Sequence, residues 1–171
     1  IKEHMLSLST TFNEPTKVRL LVDKKGRVTV QPSPLEISMK RRPLKVELAA
    51  EPVSAIKIWL FHTTTNRKVY EEARASRPEA EEVILWNEAG EVTEGTISNI
   101  VLDLDGQLVT PPVTCGLLNG TFRQHLLQNE QIHEKRVSLD DLYRSRMVYL
   151  INSVRLWQEA EIIETQRIKQ G

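Results

Sequence analysis

The sequence predicts an α+β fold in which short helices interrupt a series of strands that pair mostly as antiparallel neighbours. Segments with strand-like alternation of apolar residues outnumber segments with helical spacing. The connections between strands are mostly too short for the crossovers that parallel neighbours need. Turns separate the strands, and five of the seven glycines lie between Gly90 and Gly120, where sharp turns or a close approach of backbone to a ligand are expected.

The first part of the chain has the pattern of a β-hairpin. Alternating apolar residues at 17–22 and 27–31 flank a turn that contains Gly26. Prolines then interrupt the pattern, so we predict a linker over residues 32–44 with a domain boundary after residue 40. The sequence begins with neither a methionine nor a charged leader, and we expect that it derives from a longer protein.

Beyond the linker the patterns predict further strands and three short helices. The predicted strands are residues 45–51, 82–87, 96–104, 107–109, 136–138 and 147–152. The predicted helices are residues 66–76, 121–129 and 139–143. Thr65 or Asn66 is the expected N-cap of the first helix, and Asp105-Gly106 is the expected turn of a tight hairpin.

Composition narrows the classes of function. Lys and Arg together number 23, as do Asp and Glu, so the net charge is zero. Nucleic acids and anionic membrane surfaces bind proteins with a surplus of positive charge, so the balance argues against both as partners. The longest apolar runs are far shorter than the roughly 20 residues that span a bilayer. The single cysteine, Cys115, cannot form an internal disulfide and fits a cytoplasmic location.

Three segments carry residues that suit ligand chemistry. A carboxylate precedes glycine and small polar residues in Glu94-Gly95-Thr96-Ile97-Ser98-Asn99. Gly120 precedes a predicted helix, whose first N–H groups suit a phosphate. Asn152-Ser153-Val154-Arg155 follows a predicted strand. Taken singly, each segment is a weak signal, because such residues more often form an ordinary turn or connection.

Taken together and in order, these segments resemble the class IV aminotransferases, a family of pyridoxal-phosphate enzymes, over about residues 17–163. The motif that ends in Gly120-Thr121-Phe122-Arg123 and the Asn152-to-Arg155 segment are most similar to the aminodeoxychorismate lyase branch, which includes lyases fused to component I of p-aminobenzoate synthase. The resemblance implies a barrel-like, mixed or antiparallel sheet with short helices in a large domain, residues 41–171. It implies that residues 1–40 are the remnant, the last hairpin, of a small N-terminal α/β domain.

The resemblance also implies roles for individual residues. Glu94 would pair with the pyridine nitrogen of pyridoxal 5'-phosphate and keep it protonated. The backbone of Thr121 and Phe122 would bind the phosphate, and Ser153 with Val154 would supply a second set of donors. Each could instead have a purely structural role, such as closing a turn or ending a strand. We expect no metal ion at this site, and the family pattern favours a homodimer.

Thr63 departs from the family pattern. The family has a segment of the form Phe-His-Lys-Thr-Thr-Asn-Arg, whose lysine forms the Schiff base with the cofactor, whereas this sequence has Thr63 at that position. A threonine hydroxyl cannot form an imine. Lys57 would lie about 20 Å away along a strand, and Lys68 would face another way on a helix. The small N-terminal domain of the family supplies a phosphate-binding arginine, and the resemblance implies that only the last hairpin of that domain is present here.

Several functions therefore remain open at this point. The resemblance implies a lyase that converts 4-amino-4-deoxychorismate to p-aminobenzoate and pyruvate in folate biosynthesis, with Thr63 leaving its activity in question. The alternatives are an aminotransferase of branched-chain or D-amino acids and an inactive member of the fold that serves as an interaction module. A small β-rich binding protein unrelated to the family is the remaining alternative.

Overall fold

The computed structural model describes residues 8, 11–35, 42–54 and 67–163. The chain divides into two compact units, residues 1–39 and 40–171. Whether the first unit is the remnant of a larger domain stays a prediction.

The described part of the first unit is an antiparallel hairpin of β1 (Thr16–Val22) and β2 (Val28–Pro34). The predicted hairpin is therefore confirmed, but the predicted start of the linker at residue 32 is wrong. Pro32 pairs with Val18 and Pro34 pairs with Thr16. Proline is tolerated here because in a two-stranded sheet each strand has a free edge, where a missing N–H costs no ladder bond.

The described part of the second unit alternates strands with short helices, as predicted. Its strands are β3 (Leu44–Leu48), β4 (Glu82–Trp86), β5 (Val92–Gly95), β6 (Asn99–Leu104), β7 (Gln107–Thr110), β8 (His133–Glu134), β9 (Met147–Asn152) and β10 (Leu156–Ile162). Its helices are α1 (Lys68–Ala75), α2 (Thr121–Gln128) and α3 (Leu139–Arg144), with a short 3₁₀ turn at Val113–Cys115.

These strands form a mixed sheet in the order β5-β4-β3-β10-β9-β6-β7-β8, curled as a half-barrel. Sequence neighbours such as β6 and β7 pair antiparallel, and Asp105 and Gly106 adopt positive φ in the turn between them, as a two-residue hairpin requires. Three pairs are parallel, namely β3 with β4, β3 with β10, and β7 with β8. In each case a long stretch of chain separates the two strands. The predicted α+β fold with a mixed sheet is confirmed.

Apolar residues alternate between the two faces of the sheet. Ile100 and Leu102 on β6 belong to a core cluster that includes Leu139 and Leu142 of α3. Val101, between them, packs on the opposite face with Leu126 of α2. Helix α1 covers a further cluster beside β4. This alternation is the period-two pattern of strands buried on both faces. It packs α2 against the end of β9.

Four details of the second unit differ from the sequence predictions. Residues 92–95 form the separate strand β5, and β6 begins only at Asn99, because Gly95 closes a turn onto Ser98. Residues 136–138 contribute a single bridge, Glu91 to Ser138, and the strand lies earlier, at β8. Helix α1 has Arg67 as its N-cap, whereas Thr65 and Asn66 lie outside the described residues. Strand β10 was not predicted.

Candidate functional site

Glu94 is a buried carboxylate at the end of β5, with 4% of its surface exposed. Its Oε1 accepts a hydrogen bond from the Tyr70 hydroxyl at 2.8 Å, and its Oε2 accepts one from the Leu118 N–H at 3.1 Å. Burial raises the pKa of Glu94 to about 7, although these two donors and the nearby Arg67 and Arg123 act in the opposite direction. The Glu94 carboxyl group therefore holds its proton to a higher pH than an exposed glutamate does.

The turn that follows Glu94 is held by a second buried carboxylate. Glu82, on β4, accepts hydrogen bonds from the Thr96 N–H, at 3.1 Å, and from the Thr96 hydroxyl. Arg74 on α1 places its guanidinium 3.6 Å from the same Glu82 carboxylate. A Cβ on Gly95 would lie 2.6 Å from the Ser98 hydroxyl oxygen, so any larger residue there requires the Ser98 side chain to move.

The connection between β7 and α2 is clamped by Arg123, which is almost completely buried. Its guanidinium donates to Asn119 Oδ1 at 2.9 Å, to the Pro111 carbonyl at 2.7 Å and to the Glu134 carboxylate. Its Nε donates to the Thr110 hydroxyl at 3.3 Å. The arginine of the Gly-Thr-Phe-Arg motif therefore holds the loop that carries Leu118 to Glu94.

Helix α2 starts at the same place as this loop ends. Gly120 has no side chain with which to cap the helix, and its backbone is extended, so the first N–H groups of the helix, those of Thr121 and Phe122, have no partner within the helix. The Thr121 and Ser153 hydroxyl oxygens lie 2.6 Å apart. The structure thus brings Glu94, Thr121 and Ser153 into one region, linked through residues 118–121.

Phe122 and Val154 have partners that the sequence did not indicate. The Phe122 ring packs edge-on against Trp157, with ring centroids 6.3 Å apart. The Val154 N–H, an expected phosphate donor, donates to Asn152 Oδ1 at 3.0 Å, and the Arg155 N–H donates to the same oxygen at 2.8 Å. The Asn152 side chain thus organises the turn that presents Ser153.

The donors and acceptors of this region suit a phosphorylated pyridine. A buried carboxylate with a pKa of about 7 can hold the proton of a ring nitrogen, and helix N–H groups suit a phosphate. The Ser98 hydroxyl oxygen is buried and has no hydrogen-bond partner among the described residues. Buried polar atoms are normally paired, and Ser98 closes the turn that follows Glu94, so its unpaired hydroxyl marks a polar group that a ligand beside this turn could satisfy.

Thr63 lies outside the described residues, as do Lys57 and His62. Lys68 is described, and its side chain is 79% exposed, with Nζ 3.7 Å from Glu72 of the same helix.

Two residues of the region had no role predicted from the sequence. Tyr70 lies in the predicted helix over residues 66–76, at helical spacing with apolar Val69 and Ala73, yet its hydroxyl contacts Glu94. Asn99 was part of the glycine-rich motif without a role of its own; its Nδ2 donates to the Leu118 carbonyl at 2.7 Å. A Cβ on Gly120 would lie 2.3 Å from Asn99 Oδ1, which explains glycine before the helix.

Residues 3–163 match the family described as amino-transferase class IV. The chain belongs to the class IV aminotransferase family. Glu94, Thr121 and Ser153, which the family resemblance selected, thus lie together on the fold of a class IV aminotransferase domain. Within the described residues, no helix has the length and apolarity needed to cross a membrane.

Two relatives agree with this assignment, and a third protein shares the fold. A Schizosaccharomyces pombe protein, provisionally named aminodeoxychorismate lyase, is 38% identical over 161 residues, which cover 90% of this chain and 69% of the relative. A provisionally assigned amino-acid aminotransferase from Mesorhizobium loti has a TM-score of 0.87 at 32% identity, over 94% of this chain and 80% of its own. A hypothetical aminotransferase from Mycobacterium tuberculosis, solved with α-ketoglutarate and PMP, has a TM-score of 0.78 at 22% identity, over all of this chain and 68% of its own.

Proposed function

We propose that this chain is a pyridoxal-phosphate-dependent lyase domain that acts on 4-amino-4-deoxychorismate and forms p-aminobenzoate and pyruvate for folate biosynthesis. The observation that carries the proposal is the Glu94 carboxylate, which is buried, tied to Tyr70 and Leu118, and shifted toward neutral pKa. The choice of substrate is supported by the 38% identity to the S. pombe relative and by the Asn152-to-Arg155 segment.

Each residue of the region then has a task. When bound, the cofactor supplies an electron sink for a carbanion at the substrate Cα. Glu94 holds a proton at the ring nitrogen. The Thr121 and Phe122 N–H groups and the Ser153 hydroxyl donate hydrogen bonds to the phosphate. Arg123 binds neither the ring nitrogen nor the phosphate of the cofactor. It keeps residues 110–119 in place through its four hydrogen-bond partners.

Thr63, in place of the Schiff-base lysine, lowers the turnover rate that we expect. Threonine cannot attach the cofactor covalently, so we expect the chain to bind the cofactor through Glu94 and the phosphate donors alone. We also expect slow turnover, because a positioned base of suitable pKa contributes about 10²–10⁴-fold in rate. The same substitution favours a second candidate, a cofactor-binding domain without turnover. Aminotransferase activity toward branched-chain or D-amino acids is the alternative within the family.

Two assays separate these functions. Titration with pyridoxamine 5'-phosphate, which needs no lysine for attachment, measures the affinity of the site for the cofactor. We expect saturable binding that is weakened by Glu94→Gln. The control Glu88→Gln, in the turn after β4, should leave the affinity unchanged.

Incubation with pyridoxal phosphate and 4-amino-4-deoxychorismate is then followed for p-aminobenzoate and pyruvate. Binding with neither product indicates the inactive domain, keto-acid formation from amino acids indicates an aminotransferase, and absence of binding refutes the proposal.

We further propose that the chain is a cytoplasmic homodimer. Ile97, Val154 and Leu156 are each about half exposed, at 48%, 45% and 51%, and Asn152, next to the two latter residues, bonds the Ile97 carbonyl at 3.4 Å. Neighbouring exposed apolar side chains are typical of an interface. Light scattering at tens of micromolar should report twice the chain mass, and Leu156→Lys should shift it to the monomer; a wild-type monomer would contradict the proposal.

A further inference from the structure

We propose that Tyr70 is a positioning residue for Glu94: its hydroxyl, with Arg67 packed over its ring, fixes the carboxylate in the orientation in which it meets the cofactor. The inference rests on the proposed function, since it assigns Tyr70 a part in cofactor binding. Nothing in the class IV motif of this chain points to Tyr70, which lies 24 residues before Glu94 on a different element.

The first step is the geometry of the carboxylate. Each of its oxygens has one donor, Tyr70 on Oε1 at 2.8 Å and the Leu118 N–H on Oε2 at 3.1 Å. The two donors come from α1 and from the loop before α2, and they fix the plane of the group between them. A carboxylate held at both oxygens cannot rotate without breaking a charge-assisted hydrogen bond.

The second step is what holds Tyr70. Its ring is half-buried in the core cluster that α1 forms with Val83 and Leu85. The Arg67 guanidinium carbon lies 4.8 Å from the centre of the ring, and Arg67 also donates to the Thr96 carbonyl. Thr96 follows Glu94 by two residues, so Arg67, the N-cap of α1, and Tyr70, on α1, bond to the end of β5 and to the turn directly after it. Each of the two side chains is thus held by further contacts besides the one between them, Tyr70 by the core cluster and Arg67 by the Thr96 carbonyl.

The third step is electrostatic. Burial alone would keep Glu94 protonated, and the hydrogen bond from Tyr70 is the largest influence in the opposite direction, followed by Leu118, Arg67 and Arg123. Burial and the Glu94 charge raise the pKa of Tyr70 well above its ordinary value. Tyr70 therefore remains a donor over the whole pH range in which Glu94 titrates.

The test combines two measurements on the 171-residue chain. In the absence of cofactor, carbon-13 NMR of labelled glutamate, with the Glu94 signal assigned from its loss in Glu94→Gln, gives the pKa of Glu94. Tyr70→Phe should raise this pKa by about one pH unit, since a hydrogen bond to a charged group is lost. Tyr149→Phe is the matched control, because the Tyr149 ring packs on Trp157 and Tyr149 is not among the groups that shift the pKa of Glu94, so it should leave this pKa unchanged.

The second measurement is the affinity for pyridoxamine 5'-phosphate at pH 7.5. Tyr70→Phe should weaken it about tenfold and Tyr149→Phe should not. If Tyr70→Phe does not fold, Arg67→Met replaces it and should move both quantities in the same direction by less.

The outcomes are distinguishable. An unchanged pKa of Glu94 in Tyr70→Phe, with cofactor binding intact, overturns the role of Tyr70 and leaves the proposed function standing. A wild-type chain that does not bind pyridoxamine phosphate overturns the proposed function, and the positioning role for cofactor with it. A merely structural tyrosine would lower the stability of the fold without moving the pKa of Glu94, and that result also overturns the inference.

Discussion

Replacing Glu94 with glutamine should change how the stability of the protein depends on pH. Burial raises the pKa of Glu94 from an ordinary 4.5 to about 7. Between these values the folded chain holds a proton that the unfolded chain has lost. The contribution of Glu94 to the free energy of unfolding is therefore fully present below pH 4.5 and is lost as the pH rises through 7. At about 1.4 kcal/mol per pH unit, the interval corresponds to roughly 3 kcal/mol.

Glutamine cannot ionise, so the free energy of unfolding of the Glu94→Gln chain lacks this decline. Relative to wild type, the variant should gain about 3 kcal/mol between pH 4.5 and 8. An amide that turns its NH₂ toward the Leu118 N–H loses that hydrogen bond, but this cost is the same at every pH because the amide does not titrate. The informative quantity is the change in the difference between the two chains, rather than the difference at one pH.

Urea unfolding followed by tryptophan fluorescence, at several pH values from 4.5 to 8.5, measures this quantity for a two-state transition. Glu91→Gln is the control. Hydrogen bonds from Asn87 and Arg136 hold the pKa of Glu91 below its ordinary value of 4.5. The contribution of Glu91 to the free energy of unfolding is therefore lost only as the pH falls below 4.5. Its difference from wild type should be flat from pH 5 to 8. A flat profile for Glu94→Gln over the same range would refute the reasoning.

Three further changes give expected results. Thr63→Lys should trap pyridoxal phosphate covalently on borohydride reduction, seen by mass spectrometry; trapping in the wild type would mean that another lysine attaches the cofactor. Arg123→Met should lower the free energy of unfolding by about 3 kcal/mol in urea, because buried acceptors lose their donor, and a loss below about 1 kcal/mol would contradict the clamp. Gly120→Ala should cost about 1–3 kcal/mol by displacing Asn99. Adding Asn99→Ala should cost less than the sum of the single changes.

Local sequence signals were sufficient for most of the fold. The β1–β2 and β6–β7 hairpins each lie within one short window, so alternation and turn residues define them. Strand β10 was missed because, of Leu156–Ile162, only Ala160 is fully buried, and the pattern lacks apolar alternation. Its parallel pairing with β3 joins distant parts of the chain, and no local pattern encodes such a pairing.

The candidate site divides in the same way. Glu94, Thr121 and Ser153 could be selected from sequence because they belong to ordered motifs. Tyr70 could not, since a tyrosine at helical spacing with Val69 and Ala73 indicates a core position, and only the folded chain shows that its hydroxyl reaches Glu94. Val154 was selected for a backbone N–H whose bond to Asn152 depends on the side-chain conformation of a turn.

The cost in stability of burying Glu94 helps to decide whether a chain with Thr63 is an inactive domain. A carboxylate whose pKa is raised by burial lowers the stability of the fold at neutral and alkaline pH, and glutamine would remove that cost. In a domain that binds no ligand, Glu94 only lowers the free energy of unfolding. In a domain that binds a pyridine ring, the interaction of Glu94 with the ring offsets this loss. Pyridoxamine phosphate at 100 times its dissociation constant should raise the wild-type free energy of unfolding by about 2.7 kcal/mol. At pH 8 this rise should nearly close the gap to Glu94→Gln, while the variant itself should respond far less. Equal responses of the two chains would mean that the ligand binds elsewhere and that Glu94 serves the fold alone.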